Sequence, residues 1–362
     1  NPFVKIADRL GFTYTKNTWS PHIFCGNAWA NKDDIAAYRA FRDQVDCALR
    51  ETATAGDDVS VAAATERDSR WTPLFDYWNS LMTSVDSDQV SVIDHEAYRD
   101  TGEDWPVREG YGALVAQVGA GIPVELNTVV ESIDWQRRPV GVVTPRGTLR
   151  AQSVIITAST GVLNSHDIRF TPPLPDWKQK ALAALPLGNH NRICLILDRT
   201  AFGPDHLTNA TYYDGADVPM AFRIRPFGYD YAIGMTGGRF ASWLERAGTD
   251  ASVDYATERL KRMFGSEVAR HIVGHIVTAW GGDPWTKGAY SAAIPGHADQ
   301  RHVLGQPVAD CLFFAGEATS TEFFATAHGA YLSGIHAAEQ VVNAVKHKPG
   351  VRSQDSIDSR RL

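Results

Sequence analysis

The sequence is poor in the features that most often declare a function at sight. Its 362 residues include four cysteines, Cys25, Cys47, Cys194 and Cys311, so far apart that no CxxC pair or metal-type spacing forms. Cys194 sits in the apolar run Ile193-Cys194-Leu195-Ile196-Leu197 and reads as a small core residue. Thiols scattered in this way fit a reducing compartment, the cytoplasm first, with periplasm or secretion left open. No apolar run approaches the roughly 20 residues that span a bilayer, so no membrane-spanning helix is expected. Positive charge is in deficit: 35 Lys and Arg against 42 Asp and Glu leave a formal charge of −7. That balance argues against a nucleic-acid surface and mildly suits cationic ligands.

Several catalytic and nucleotide motifs are missing as well. There is no P-loop, no GxSxG elbow, no internal repeat and no low-complexity linker. Val118-Gly119-Ala120-Gly121 starts a dinucleotide fingerprint, but Val124 stands in place of its third glycine. The chain there runs on into a strand-like segment where the fingerprint needs a helix. His271 and His275 are four apart without the metalloprotease Glu between them, and His275 opens a β-branched run, so no metal site is assigned. Asn209-Ala210-Thr211 matches a glycosylation sequon, a pattern too common to use.

What remains is a globular composition, 44% hydrophobic and 21% charged, with ten Trp. Helices are predicted over 3–11, closed by Gly11, over 33–54, and from about Trp71 with Pro73 in the first turn. Short strands are predicted at 124–126, 129–134, 141–144 and 154–157, with Arg146-Gly147 as a hairpin turn. A helix at 113–118 precedes them; an extended connector at 170–175 and a helix at 176–185 follow. Further strands are expected at 192–197, 220–224, 231–235 and 275–280, and helices at 252–264 and 268–271. Helices and strands interleave without a clean boundary, so two domains would have to exchange segments.

The richest stretch is Leu312-Phe313-Phe314-Ala315-Gly316-Glu317-Ala318-Thr319-Ser320, followed by an aromatic linker and an amphipathic helix over 327–345. A strand, a glycine turn and a helix in this order face a polar ligand in some proteins and form an ordinary crossover in others. Glu317 at the strand end is placed to accept hydrogen bonds from hydroxyls. The wording goes further: it closely resembles the C-terminal flavin-binding signature of the flavin-containing amine oxidases. That family includes monoamine oxidases, polyamine oxidases and lysine-specific histone demethylases. The stretch from Val154 through Phe170-Thr171-Pro172-Pro173-Leu174-Pro175 is similar to the same family, as are Leu126-Asn127-Thr128-Val129-Val130 and the segment from Trp280 to Ser291.

The resemblance implies an α/β fold in which a Rossmann-like FAD-binding domain interleaves with a substrate domain of mixed sheet and helices. Residues 1–106 are expected to be the mainly helical part of the substrate domain, 107–170 a segment of the FAD domain and 171–280 the sheet and helices of the substrate domain. Residues 281–345 then return to the FAD domain, and 346–362 form a flexible tail. Asn1-Pro2 resembles the sequence that follows the family's first nucleotide-binding unit, so the glycine-rich βαβ unit is expected to have been cut away or to belong to another polypeptide. A complete FAD site would need it, and a separate N-terminal polypeptide or second subunit is an expected partner.

Residue by residue, the resemblance places Glu317 and Gly316 at the flavin's ribityl chain and Thr326 and Ala327 beside its pyrimidine, at a helix N-terminus. It places the backbone of Val130 at the adenine and Trp280, Trp285 and Ala289 along the flavin ring. Tyr290 matches one wall of the aromatic cage that holds a neutral amine; Thr326 occupies the place where monoamine oxidases have the second tyrosine. Ala289 stands where those enzymes bond the flavin through Cys, so the FAD is expected to be noncovalent. Arg192 stands where the family usually has a Lys that holds a water against the flavin, and it cannot act as a neutral amine near neutral pH. The implied activity is oxidation of a C–N bond of a polyamine, monoamine or L-amino acid to an imine, with O2 or another acceptor reoxidising the flavin. For an amino-acid substrate, Arg223 or Arg225 is the expected carboxylate partner. A catalytically silent scaffold subunit and a flavin desaturase or isomerase are the competing expectations.

Overall fold

Among the described residues, 1–16, 22–202 and 208–346 of a computed structural model, the molecule is organised around a seven-stranded sheet. Its order is Ile272–Val277, His190–Leu197, Tyr231–Gly237, Met220–Ile224, Asn209–Tyr213, Ile23–Cys25 and Ala28–Trp29. All neighbours are antiparallel except Ile23–Cys25, which runs parallel to Asn209–Tyr213. Strand His190–Leu197 alternates strictly, burying Asn191, Ile193, Leu195 and Leu197 on one face and turning Arg192 and Ile196 outward on the other.

Each face has its own cover. Helices Gly238–Ala247 and Thr249–Phe264 pack Leu244, Ala256, Leu260 and Met263 onto Ile193, Leu195 and Leu197. Helices Lys32–Ala55 and Thr72–Thr83 cover part of the opposite face, around Tyr213, Ala221 and Met235. The first of these starts in a capping box, with Asn31 accepting from the Asp34 amide and Asp34 from that of Asn31. The second runs its end directly onto the sheet. A Cβ on Gly188 would strike the backbone of Ser84, and one on Gly237 would strike Ser80, so these two positions need glycine for close approach.

A third core joins residues 133–185 to 293–318. It holds a four-stranded sheet, Gly147–Ala151, Val140–Thr144, Ser132–Asp134 and Arg169–Thr171, and a parallel pair, Val154–Ile156 with Leu312–Phe314. Lys178, fully buried in helix Asp176–Ala184, donates to the carbonyls of Leu304 and Gln306 at 2.6 Å each and lies 4.1 Å from the Phe314 ring centre. It thereby ties the end of helix Gln300–Gly305 to the strand beneath, and burial pushes its pKa down to about 7.

Most predicted elements are present, and the departures have physical causes. Residues 124–126 are not a strand: Val124 and Leu126 are 66% and 72% exposed, and no described strand lies beside them to pair with. The strand predicted at 275–280 is Ile272–Val277. Beyond it Thr278 still gives its amide to the Arg192 carbonyl, but its hydroxyl takes the Arg192 amide in place of a backbone carbonyl and donates to Asn191 Oδ1, which ends the regular ladder. The sequon asparagine Asn209 is buried inside a strand. His271 lies 3.0 Å from Asp198, in an ion-pair setting. Helix Ala327–Lys346 covers the last predicted helix, and residues 347–362 of the expected tail lie outside the described residues.

Candidate active site

Part of the central sheet is left uncovered, with Arg192 and Ile196 exposed on it. Across the ladder Arg192 faces Met235, Cys194 faces Ile233, and Ile233 faces Arg223, so His190, Arg192, Cys194 and Arg223 share one sheet face. Residues 288–291 pass over the head of that sheet. The Gly188 amide donates to the Tyr290 carbonyl (3.0 Å), the Ala289 amide to the Gly188 carbonyl (2.9 Å), and Ser84 Oγ to the Tyr290 carbonyl (2.8 Å).

Tyr290 Oη donates to the Leu81 carbonyl and lies 2.7 Å from His190 Nδ1. Nδ1 also lies 3.1 Å from the Leu81 carbonyl, which only accepts, so Nδ1 carries a proton directed at that carbonyl and the phenol oxygen. His190 Nε2 is then a bare acceptor, buried without a hydrogen-bond partner. Burial, with the Arg192 charge second, pushes the His190 pKa down to about 4, and burial raises that of Tyr290. Between about pH 6.5 and 4 the unfolded chain therefore binds the proton that folded His190 refuses, and folding stability falls as pH drops through that window. His190→Asn, which keeps a donor near Nδ1 and cannot titrate, is expected to flatten that limb of a plot of melting temperature against pH. An unchanged slope would show that other groups carry it.

A second anchor is Glu317, at the end of strand Leu312–Phe314. Its Oε1 accepts from the Ser291 amide (2.9 Å), and its Oε2 accepts from Ser291 Oγ (2.9 Å) and the Ala325 amide (2.8 Å). Part of the residue meets solvent, but burial of the carboxylate raises its pKa despite nearby Arg301 and these donors. Ala325 is held at a left-handed φ of 58°. Thr326 caps the helix that follows, donating Oγ1 to the Phe323 carbonyl and accepting from the Gly329 amide.

Arg301 lies beneath, 1% exposed, bidentate to Asp94 at 2.6 and 2.8 Å and reaching Ser291 Oγ at 2.8 Å. Its guanidinium sits 3.8 Å from the Phe324 ring centre. A third knot pins the head of that sheet. Glu245 accepts from Asn189, Asn191 and the amides of Gly281 and Gly282, and these donors overcome burial to hold its pKa low. Asn191 Oδ1 also takes the Trp280 amide.

The structure thus brings Tyr290, Ala289, Glu317, Gly316, Thr326 and Ala327 into one connected unit, with Arg192 on the adjoining sheet face. Trp280 and Trp285 stand at its edge, 41% and 67% exposed. Val130 lies apart from this unit, half-buried against the third core. Arg225 is committed elsewhere, bonded to Asp230 at 2.6 Å. Sequence reasoning missed His190, Asp94, Arg301 and Glu245. For His190 a signal existed in the polar alternation Asn189-His190-Asn191 at the head of an apolar strand; for Arg301 and Asp94 there was none.

The flavin that the sequence resemblance implies can be tested against these atoms. A carboxylate offers about four lone-pair sites, and three donors occupy those of Glu317, leaving room on Oε1 for a ligand hydroxyl. Gly316, at φ 137°, faces open space where a Cβ would stand. The start of helix Ala327–Lys346 supplies amides that favour negative charge. These residues fit the ribityl and ring end of FAD.

Comparison with known proteins agrees. The family described as flavin containing amine oxidoreductase matches residues 21–342. The chain belongs to that family. Polyamine oxidase 4 of Oryza sativa subsp. japonica is 32% identical over 276 residues, 74% of this chain and 55% of that protein. A probable polyamine oxidase 4 of Arabidopsis thaliana is 33% identical over 64% of this chain and 47% of its own length. A lysine-specific histone demethylase 1 homolog from the same plant is 29% identical over 66% of this chain and 16% of its own length. The chain thus spans about half the length of the polyamine oxidases it matches.

The same fold occurs in a putrescine oxidase solved with putrescine, at TM-score 0.76 and 16% identity over 94% of this chain and 85% of that one. Cyclohexylamine oxidase from Brevibacterium oxydans gives TM-score 0.73 at 19% identity over 95% and 85%. The family member described here therefore has the mixed α/β fold of FAD-dependent amine oxidases. No helix among its described residues is long and apolar enough to cross a membrane.

Proposed function

We propose that this protein oxidises the C–N bond of a small-molecule amine to the imine with bound FAD, which O2 or another acceptor reoxidises. The observation that carries the reading is the joined arrangement of Tyr290 and the Glu317 anchor: one carboxylate holds both Ser291, next to Tyr290, and Ala325, at the start of the last helix. When bound, FAD supplies the two-electron acceptor for the C–H bond next to nitrogen. The protein's part is to bind, orient and exclude water. Tyr290, its phenol fixed from both sides, offers a ring face that orients the amine. Amides at the start of helix Ala327–Lys346 favour negative charge on the reduced ring. Thr326 Oγ1 is spent on capping, so its share is to hold that helix start in place.

Glu317 holds a ribityl hydroxyl on its free lone pair, Gly316 lets the ligand approach the strand end, and Val130 lends its backbone to the adenine. Trp280 and Trp285 flank the ring. Ala289 has no thiol, so the flavin is held without a covalent bond. Arg192 replaces an amine-bearing side chain on the sheet face and keeps its charge through the reaction. The scaffold reading is not favoured, because nothing in a purely structural role requires these groups to converge beside an uncovered sheet face.

Anaerobic mixing of the FAD-loaded protein with amines, followed by the visible spectrum, tests the proposal. Tyr290→Ala is expected to slow flavin reduction at least tenfold, about 1.4 kcal/mol of barrier, while the yellow colour stays with the protein. Equal rates in variant and parent would remove Tyr290 from the site.

A further inference from the structure

Two arginines converge on the central sheet, and neither has a strong partner. Arg192 and Arg223 project from the same sheet face, two strands apart. Arg192 uses only its backbone in described hydrogen bonds, its amide and carbonyl both meeting Thr278, and its guanidinium forms no described hydrogen bond or ion pair. Arg223, half-buried, reaches Asp104 at 3.9 Å, but that acid is 82% exposed, and such solvent-screened pairs contribute little. Solvent reaches Arg192, yet burial and then the charge of Arg223 hold its guanidinium below its ordinary pKa. Positive charge gathered on a partly desolvated sheet face is stabilised by an anion and disfavours a polycation. The nearby acids do not remove it: Glu317 is spent on Ser291 and Ala325, and Asp94 on Arg301.

Resting on the amine-oxidation reading, we infer that Arg192 and Arg223 form a carboxylate-binding pair and that the substrate amine is an amino acid. The forked guanidinium of Arg223 meets the carboxylate, Arg192 adds charge from two strands away, and Tyr290 faces the carbon that bears nitrogen. Ile233 and Ile276, on the same face, give the side chain an apolar seat. A di- or triamine would place like charge against both arginines.

The test uses matched pairs on the FAD-loaded protein: L-leucine with 3-methylbutylamine, L-phenylalanine with phenethylamine, and L-lysine with cadaverine. At least one amino acid is expected to outpace its decarboxylated counterpart in kcat/KM. Arg223→Gln should shrink that preference by about 30-fold, the worth of a hydrogen bond to a charged group, and Arg223→Lys should restore part of it. Benzoate, titrated by calorimetry, should bind the parent and bind Arg223→Gln at least tenfold more weakly. Decarboxylated amines winning every pair, or benzoate binding both proteins alike, would overturn the inference. Flavin untouched by every amine would instead sink the amine-oxidation reading, while benzoate binding lost with Arg223 would still uphold the anion site.

Discussion

Asp94→Ala is expected to be the most destabilising single substitution in this protein, at about 3–5 kcal/mol. Asp94 and Arg301 are each 1% exposed and bonded at 2.6 and 2.8 Å. Removing the acid leaves a guanidinium in the core that no water reaches. It also frees the arginine from the geometry that presents it to Ser291. Urea unfolding of variant and parent measures the loss. Asp94→Leu combined with Arg301→Met removes both charges, and it should recover most of the stability while loosening residues 291 and 317. A shift in Asp94→Ala below about 1 kcal/mol, the scale of a surface pair, would mean that water enters this core.

The second large effect concerns association. Among the described residues, strands Val154–Ile156 and Leu312–Phe314 form a sheet of two, with one lone bridge from Leu312 back to Val308, and a two-stranded sheet is marginal by itself. Ile155 is 38% exposed at that sheet, and Ile122, Val124 and Leu126 are 63–72% exposed in the segment before the third core. We propose that a βαβ nucleotide-binding segment outside residues 1–362 completes this edge and the FAD site. Residues 1–362 produced by themselves should then self-associate and retain FAD poorly, and supplying such a segment, fused or co-produced, should reverse both. Light scattering and flavin fluorescence decide it. A monodisperse 362-residue chain with stoichiometric FAD would refute the proposal.

The strand-turn-helix around Glu317 was legible because three local signals agree: an apolar run, a glycine turn and a helical period. The strands Ile23–Cys25 and Asn209–Tyr213 were not: each has one local antiparallel neighbour, but the parallel pairing that joins them into the sheet spans nearly two hundred residues. Residues 124–126 show the reverse error, an alternating apolar pattern that promises a strand where no described neighbour completes the ladder. At the site, the resemblance supplied Tyr290 and Glu317. It did not supply what fixes them, since Asp94, His190, Glu245 and Arg301 owe their partners to tertiary contacts that no spacing encodes.

That same long-range pairing sets an order of events during synthesis. Strand Ile23–Cys25 has no parallel neighbour until residues 209–213 emerge, and Asp94 has no countercharge until Arg301 does. The helical first hundred residues therefore gain these native contacts only when the last part of the described chain is present. Closing such distant contacts is slow and leaves apolar faces open meanwhile. The nascent chain is expected to be most prone to aggregation between the completion of its first helices and the arrival of Arg301.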